Sequence, residues 1–190
     1  MMRQLVLTIV ANDRPGIVQA VAEVVARHGA NWMDSSMVRL GGEFAGIARI
    51  SVPEESTDAL QASLAALKGD GLTITVQTAR EEPPPMAGTS AHLMVSGADH
   101  PGIVRDISMS LADCGVSIEE LHTEQFPDSM TGQSMFQASA LVVSPSGQGL
   151  DSLRERLERL APDIMFEIDI QTETCDQWSR KRSPRGERGL

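Results

Sequence analysis

The chain has 190 residues, a formal net charge of −10 and an apolar content of 41%, enough for one domain or two small ones with real cores. Aromatic residues make up 3%, with no tyrosine, so the cores must rest on Val, Ile, Leu, Met and Ala. The acidic excess argues against nucleic-acid binding by the globular part, which would need clustered Lys and Arg. No apolar run approaches the roughly 20 residues of a membrane-spanning helix.

From the N-terminus, "MMRQLVLTIVANDRP" is basic, then apolar. The run is short and β-rich and lacks a small-residue cleavage site, so it reads as a strand, "QLVLTIVA", rather than a signal peptide. "PGIVQAVAEVVARHG" sets Ile17, Val21, Val24 and Val25 at helical spacing. Pro15 is expected at the first helical position and Gly29 as the C-terminal cap. "NWMDSSMVRL" and "EFAGIARISV" flank Gly41-Gly42, a hairpin signal. "STDALQASLAALKG" offers a capping Ser or Thr and a stripe of Leu60, Leu64 and Leu67. "LTITVQT" follows as a strand.

The same order then recurs as "AHLMVSGA", "PGIVRDISMSLADCG", "VSIEELHTEQF", "SMFQASALVVS", "LDSLRERLERLA" and "IMFEIDIQT". Gly16 and Gly102, like Gly29 and Gly115, lie 86 residues apart. Phe44-Ala45 answers Phe136-Gln137 after a longer second hairpin, "FPDSMTGQS". A repeat of this length is a whole domain. The βαββαβ order predicts an α+β protein of two ferredoxin-like domains, each a four-stranded antiparallel sheet with two helices on one face. The expected boundaries are 1–80 for the first domain, 81–90 for a Pro-rich linker, 91–173 for the second domain and 174–190 for a basic, disordered tail. That tail carries Arg180, Lys181, Arg182, Arg185 and Arg188 against Asp176 and Glu187, and could touch nucleic acid or an acidic partner. Cys114 and Cys175 form no C-x-x-C pair and read as free thiols of a reducing compartment, which fits a cytoplasmic protein.

"NDRPGIV" (12–18) and "ADHPGIV" (98–104) are the repeat's most distinctive stretches. Each opens a helix with glycine, so backbone N–H groups and the helix dipole face outward and suit a carboxylate. Asp13 or Asp99 can bond back to the turn or attract an ammonium group. Together these complement a free α-amino acid. The same residues also make a sound strand-to-helix turn with no ligand, and the residues alone leave both readings open.

A ferredoxin-like half with "Asp-Arg-Pro-Gly-Ile-Val" after its first strand and "Gly-Ala-Asn" opening its second resembles an ACT domain, a small regulatory module that commonly binds amino acids at domain interfaces. Two such halves across residues 3 to 173 resemble the glycine cleavage system transcriptional repressor family. Similar modules occur in formyltetrahydrofolate deformylases and nitrogen-signalling uridylyltransferases. The resemblance implies ligand contacts at Asn12, Asp13, Arg14, Pro15, Gly16, Ile17 and Asn31, with Trp32 beside it. In the second half it implies Asp99, His100, Pro101, Gly102, Ile103 and Ser117, where Ser replaces Asn. It further implies a ligand such as glycine or another amino acid, and a protein partner that includes a DNA-binding regulator among the candidates. Homodimerisation is a further expectation, because edge strands seek partners. Direct DNA binding and membrane association are not expected.

No G-x-S-x-G, P-loop or Rossmann glycine pattern is present, so no catalytic residues and no cofactor are assigned. Glu120, His122 and Glu124 share one face of a strand, with His100 and Glu119 nearby in sequence. They lack a tight metal-ligand motif, and an exposed polar strand explains them. His28 and His92 are expected to be solvated. The competing functions are a freestanding regulatory subunit of an enzyme and an assembly module without a ligand.

Overall fold

A computed structural model describes residues 1–80, 88–144, 148–160 and 173–174. It divides into two units, Met1–Glu82 and Pro83–Leu190. The first holds β1 (Met2–Asn12), α1 (Ile17–Arg27), β2 (Asn31–Leu40), β3 (Glu43–Pro53), α2 (Thr57–Ala66) and β4 (Leu72–Thr78). The second holds β5 (Thr89–Ala98), α3 (Ile103–Asp113), β6 (Ser117–Pro127), β7 (Ser134–Ser144), α4 (Gln148–Leu160) and β8 (Glu173–Thr174). The two sheets have the corresponding strand orders β2-β3-β1-β4 and β6-β7-β5-β8, and all their pairings are antiparallel. This is the α+β ferredoxin-like plan expected for each half. The last expected strand, over 166–172, and the tail from 175 lie outside the described residues, as do 81–87 of the linker.

Alternation builds both cores. In β1, Leu5, Leu7, Ile9 and Ala11 point inward and are buried. They meet Ile17, Val21, Val24 and Val25 of α1, Leu60 and Leu64 of α2, and Ala48, Ile50 and Val52 of β3. In the second unit Leu93 and Val95 meet Ile103, Ile107 and Leu111 of α3, with Leu150, Leu153 and Leu157 of α4. Burying each such Leu, Ile or Val contributes roughly 1.5–3 kcal/mol. α1 and α3 end alike: Gly29 and Gly115 adopt φ of +67° and +66°. Their N–H groups donate to Ala26 and Ala112, and those of Ala30 and Val116 to Val25 and Leu111.

Two expected helix starts differ from the structure. α1 begins at Ile17, not at Pro15, because Gly16 is left-handed (φ +91°) and stands outside the helix as its N-cap. α2 has no side-chain cap. A 3-10 turn over Glu54–Ser56 leads into it, and the Thr57 hydroxyl donates instead to the Pro53 carbonyl at 3.4 Å. His28, expected to be solvated, is hydrogen-bonded to Ser63 at 2.9 Å and so joins α1 to α2.

The units share a β-bulge, between Trp32 and Asp34 in β2 and between Ile118 and Glu120 in β6. They differ in how the strand beyond it packs. Trp32 and Met37 lie against the first core, and Met37 sits directly over Gly46. A Cβ on Gly46 would fall 2.5 Å from Met37 Cγ and 2.8 Å from the Ser36 carbonyl oxygen. Register places Ile118 and Thr123 at the corresponding points of β6, with Ala138 below Thr123. The smaller pair leaves an apolar crevice between α3 and β6, lined by Val104, Ile107, Leu111, Ile118, Leu121 and Thr123. Its volume is about 10 Å³, room for one water at most.

Gly46→Ala should cost about 1–3 kcal/mol in urea unfolding by overpacking. Adding Met37→Thr, which reproduces the second unit's pair, should recover part of the loss; an unchanged midpoint for the single variant would refute the contact.

The hairpins differ too. Gly41 and Gly42, at φ +61° and +85°, form the two-residue turn that strand twist favours. The longer second turn is organised by Asp128. Its carboxylate accepts the Thr131 N–H (2.7 Å), the Thr131 hydroxyl (2.8 Å) and the Met130 N–H (3.0 Å). The Thr131 N–H first, then its hydroxyl and the Met130 N–H, holds the Asp128 carboxyl below its ordinary value. A lowered folded pKa stabilises the turn above the ordinary aspartate value of about 3.9, and that contribution is lost as pH falls through the lower folded value. An NMR titration should therefore show the Thr131 and Met130 amide shifts moving together at a pH below that of an unstructured aspartate.

Candidate functional site

The turn after the central strand is built the same way in both units. The Asp13 N–H donates to the Gly42 carbonyl and the Asp99 N–H to the Ser134 carbonyl, each at 2.9 Å. The turn is thus tied to the hairpin at the same end of the sheet. Gly16 and Gly102 then take φ of +91° and +97°, which only glycine adopts without cost. Their carbonyls accept the N–H groups of Ala20 and Asp106. Ile17 and Ile103 turn inward and are buried, at 3% and 4% exposure, anchoring each helix entrance in its core. Helix geometry leaves the first N–H groups, those of Ile17, Val18 and Gln19, without intrahelical acceptors.

The two aspartates do not bond back to their turns. Asp13 pairs with Arg39 of β2 at 3.0 Å, and Asp99 accepts from Gln125 of β6 at 2.5 Å. Arg39 and Gln125 are equivalent positions, opposite Phe44 and Phe136 respectively. The acid therefore ties the turn to the edge strand in each unit, through a cation in one and an amide in the other. Arg14 is also engaged, donating to the Asp70 carbonyl at 2.7 Å. His100 has a different contact, with the Pro101 carbonyl at 3.3 Å.

The entrances differ in openness. Nothing lies within 4 Å of the place a Gly16 Cβ would occupy. At Gly102 the Arg105 guanidinium comes within 3.3 Å of that place, while pairing with Asp106 at 2.8 Å. The Ile103 N–H is taken up by the His100 carbonyl at 3.3 Å. The second entrance is thus partly covered, by the Arg105 guanidinium.

Comparison with known proteins bears on these features. The ACT domain family model matches residues 3–77. The first unit is an ACT domain. The second repeats its strand order, bulge, glycine turn and helix ends, so the chain holds two units of one plan. It is similar to the glycine cleavage system transcriptional repressor of Escherichia coli, at 26% identity over 177 residues, 91% of this chain and 92% of that one. Among solved structures, an unknown protein from Galdieria sulphuraria matches with a TM-score of 0.73 and 28% identity, over 90% of this chain and 100% of that one. A candidate glycine cleavage system transcriptional repressor matches in fold with a TM-score of 0.67 and 20% identity, over 91% of this chain and 99% of that one.

Within each unit the expected contact residues fall into two separate groups. Asn12 to Ile17 cluster at the turn. Asn31, exposed at the start of β2, pairs with Ser51, whereas Asn12 pairs with Glu43. Eight residues of β3 separate those positions, about 27 Å at roughly 3.4 Å per residue. Ser117, opposite Val143, is likewise remote from Asp99, which bonds to Ser134. One small ligand cannot touch both groups of one domain. Arg39 and Arg105 escaped the sequence reading. The first lies far along a strand whose pairing register had to be known. The second shares the first turn of α3 with Gly102, a spacing that was visible. Among the described residues no group of His, Cys, Asp or Glu is placed to hold a metal ion.

Because Arg39 is 72% exposed in its pair with Asp13, Arg39→Ala should lower stability by no more than about 1 kcal/mol. It should nevertheless shift the NMR signals of Asp13 to Ile17; a spectrum unchanged at that turn would mean the pair does not hold it.

Proposed function

We propose that the chain is a non-catalytic regulatory protein that senses a small ligand, glycine or another amino acid, at ACT interfaces. In this reading it controls a protein partner, a transcriptional regulator of glycine cleavage, inside the cytoplasm. The observation that carries the reading is the similarity to the E. coli repressor, which runs through both units rather than through one shared module. The open entrance at Gly16 supplies the matching chemistry. Unpaired helix N–H groups favour the ligand's carboxylate, and Asp13 lies beside them within a tie that a ligand ammonium could share with Arg39.

The separation of Asn31 from the turn favours a site completed by a second copy of the chain. One copy gives Asn12 to Ile17, the other Asn31. The covered entrance at Gly102 makes Asp99, His100, Pro101, Gly102, Ile103 and Ser117 the weaker set. Among the described residues no helix is long and apolar enough to cross a membrane. Ligand binding can bias the partner only by its differential affinity for two states of the protein.

A thermal-shift screen against free amino acids, glycine first, tests the proposal. A ligand that binds only the folded protein stabilises it by about 2.7 kcal/mol at roughly a hundredfold excess over Kd. The expected result is a shift with one amino acid, lost in Asn31→Ala and in Gly16→Val. If no amino acid shifts the transition, sensing is wrong and an assembly role takes its place. A shift that survives both variants would leave sensing intact and refute the site.

A further inference from the structure

The outer face of the first sheet, turned away from the core, departs from the usual pattern. An antiparallel sheet covered on one side ordinarily shows polar residues on the other. Here alternation turns Val10 and Ile47 outward on the two central strands, β1 and β3, where they are 43% and 55% exposed. Register sets Val38 of β2, also exposed, beside Ala45, Ala45 beside Val10, and Val10 beside Thr73 of β4. The next row holds Ile47 between Ser36 and Thr8, with Thr75 beyond. Neither row carries a charged residue. Asp34 and Arg49 stand opposite each other in the row after that and pair at 2.6 Å.

The fold does not demand this apolarity. The second unit has the same sheet, and its register puts Glu124, Gln137 and Ser96 where the first has Val38, Ala45 and Val10. Ser139 stands in place of Ile47, and His122 in place of Ser36. At these positions the second sheet shows the polar surface that water favours, and the first does not. A contiguous apolar patch left exposed marks a surface that meets a partner.

The face fits a second copy of itself. Its charges Asp34 and Arg49 cancel within one copy, so stacking opposes no net like charge. Its two apolar rows are built from Val, Ile, Ala, Ser and Thr, side chains short enough for two sheets to pack at the roughly 10 Å of a sandwich. Its size is sufficient. Three of the four strands have 10 or 11 residues. At about 3.4 Å per residue and about 4.8 Å between strands, the face covers roughly 650 Å². Two such faces together bury about 1,300 Å², within the roughly 1,200–2,000 Å² of specific interfaces. A face like that of the second unit fits less well, because the Glu124 carboxylate would lose water against Val and Ala.

We propose that the outer face of the first sheet is a contact between two copies of the chain, stacked sheet on sheet around Ile47, Val10 and Val38. It differs from the contact in the ligand reading, which brings Asn31 to the turn at Gly16. It does not rest on that reading, and its test contains no amino acid.

Sedimentation velocity of the full chain at micromolar concentration gives the first readout. The expected mass is at least twice the 20.4 kDa of one chain. Ile47→Lys should halve it, whereas Met109→Lys, at a residue 56% exposed on α3, should leave it unchanged. The second readout needs no disruptive variant. With Cys114→Ser and Cys175→Ser as background, Ile47→Cys should be joined into covalent dimers by a bismaleimide of about 10 Å, the spacing of stacked sheets, and Met109→Cys should not. A monomeric parent chain, an assembly indifferent to Ile47→Lys, or no cross-link through Ile47→Cys would each overturn the proposal.

Discussion

Each unit depends on one backbone conformation, the left-handed glycine between the central strand and the first helix. The chain leaves β1 at Asn12 and must reverse over the sheet within four residues. Gly16 makes that reversal at φ +91° with open space around it, so glycine is required there by its dihedral angle and not by crowding. The reversal drops Ile17 into the core and leaves Asp13 facing β2. The hairpin contact through Gly42 and the Arg39 tie follow from that placement. Gly102 does the same for Ile103, Asp99 and Gln125.

This device sets the balance between scaffold and site. A helix entrance without a side-chain cap is a modest thermodynamic loss, because a polar N-cap contributes about 1 kcal/mol that glycine mostly matches. It also keeps N–H groups facing outward, where an anion can use them. The two domains have moved apart from this common plan. The first keeps an uncovered entrance and packs Trp32 and Met37 beneath its helix. The second folds Arg105 over the entrance and carries smaller residues beneath. Such divergence between copies is consistent with one copy keeping recognition while the other takes a different task.

Much of this was legible in the sequence because it rests on periodicity and glycine. Leu5, Leu7 and Ile9 alternate, and Ile17, Val21, Val24 and Val25 share a helical face; both patterns are buried as read. Gly29 and Gly41-Gly42 marked their turns through positive φ. What escaped was set by register. The partners of Asp13 and Asp99 lie 26 residues further on in each case, beyond any local rule. The remoteness of Asn31 from the turn became visible only once β2 was laid against β3. Pro15 is expected at the first helical residue because proline is common there, while the left-handed glycine after it moves the helix start two residues downstream, to Ile17. The missing cap of α2 arose because a 3-10 turn occupies Glu54–Ser56.

The shared bulge carries a statement about history. The extra residue at the bulge is absorbed without changing the strand's facing, so Trp32 and Met37, five apart in sequence, both reach the core. Both β2 and β6 have it at the same distance from the start of the strand. The economical account is a single ancestral module that already contained the bulge and was then copied. The Asp128 loop, present in one copy only, and the exchange of Trp and Ile at positions 32 and 118 record the lineage after copying. Reconstructing that ancestor would begin from the bulge and the glycine turn.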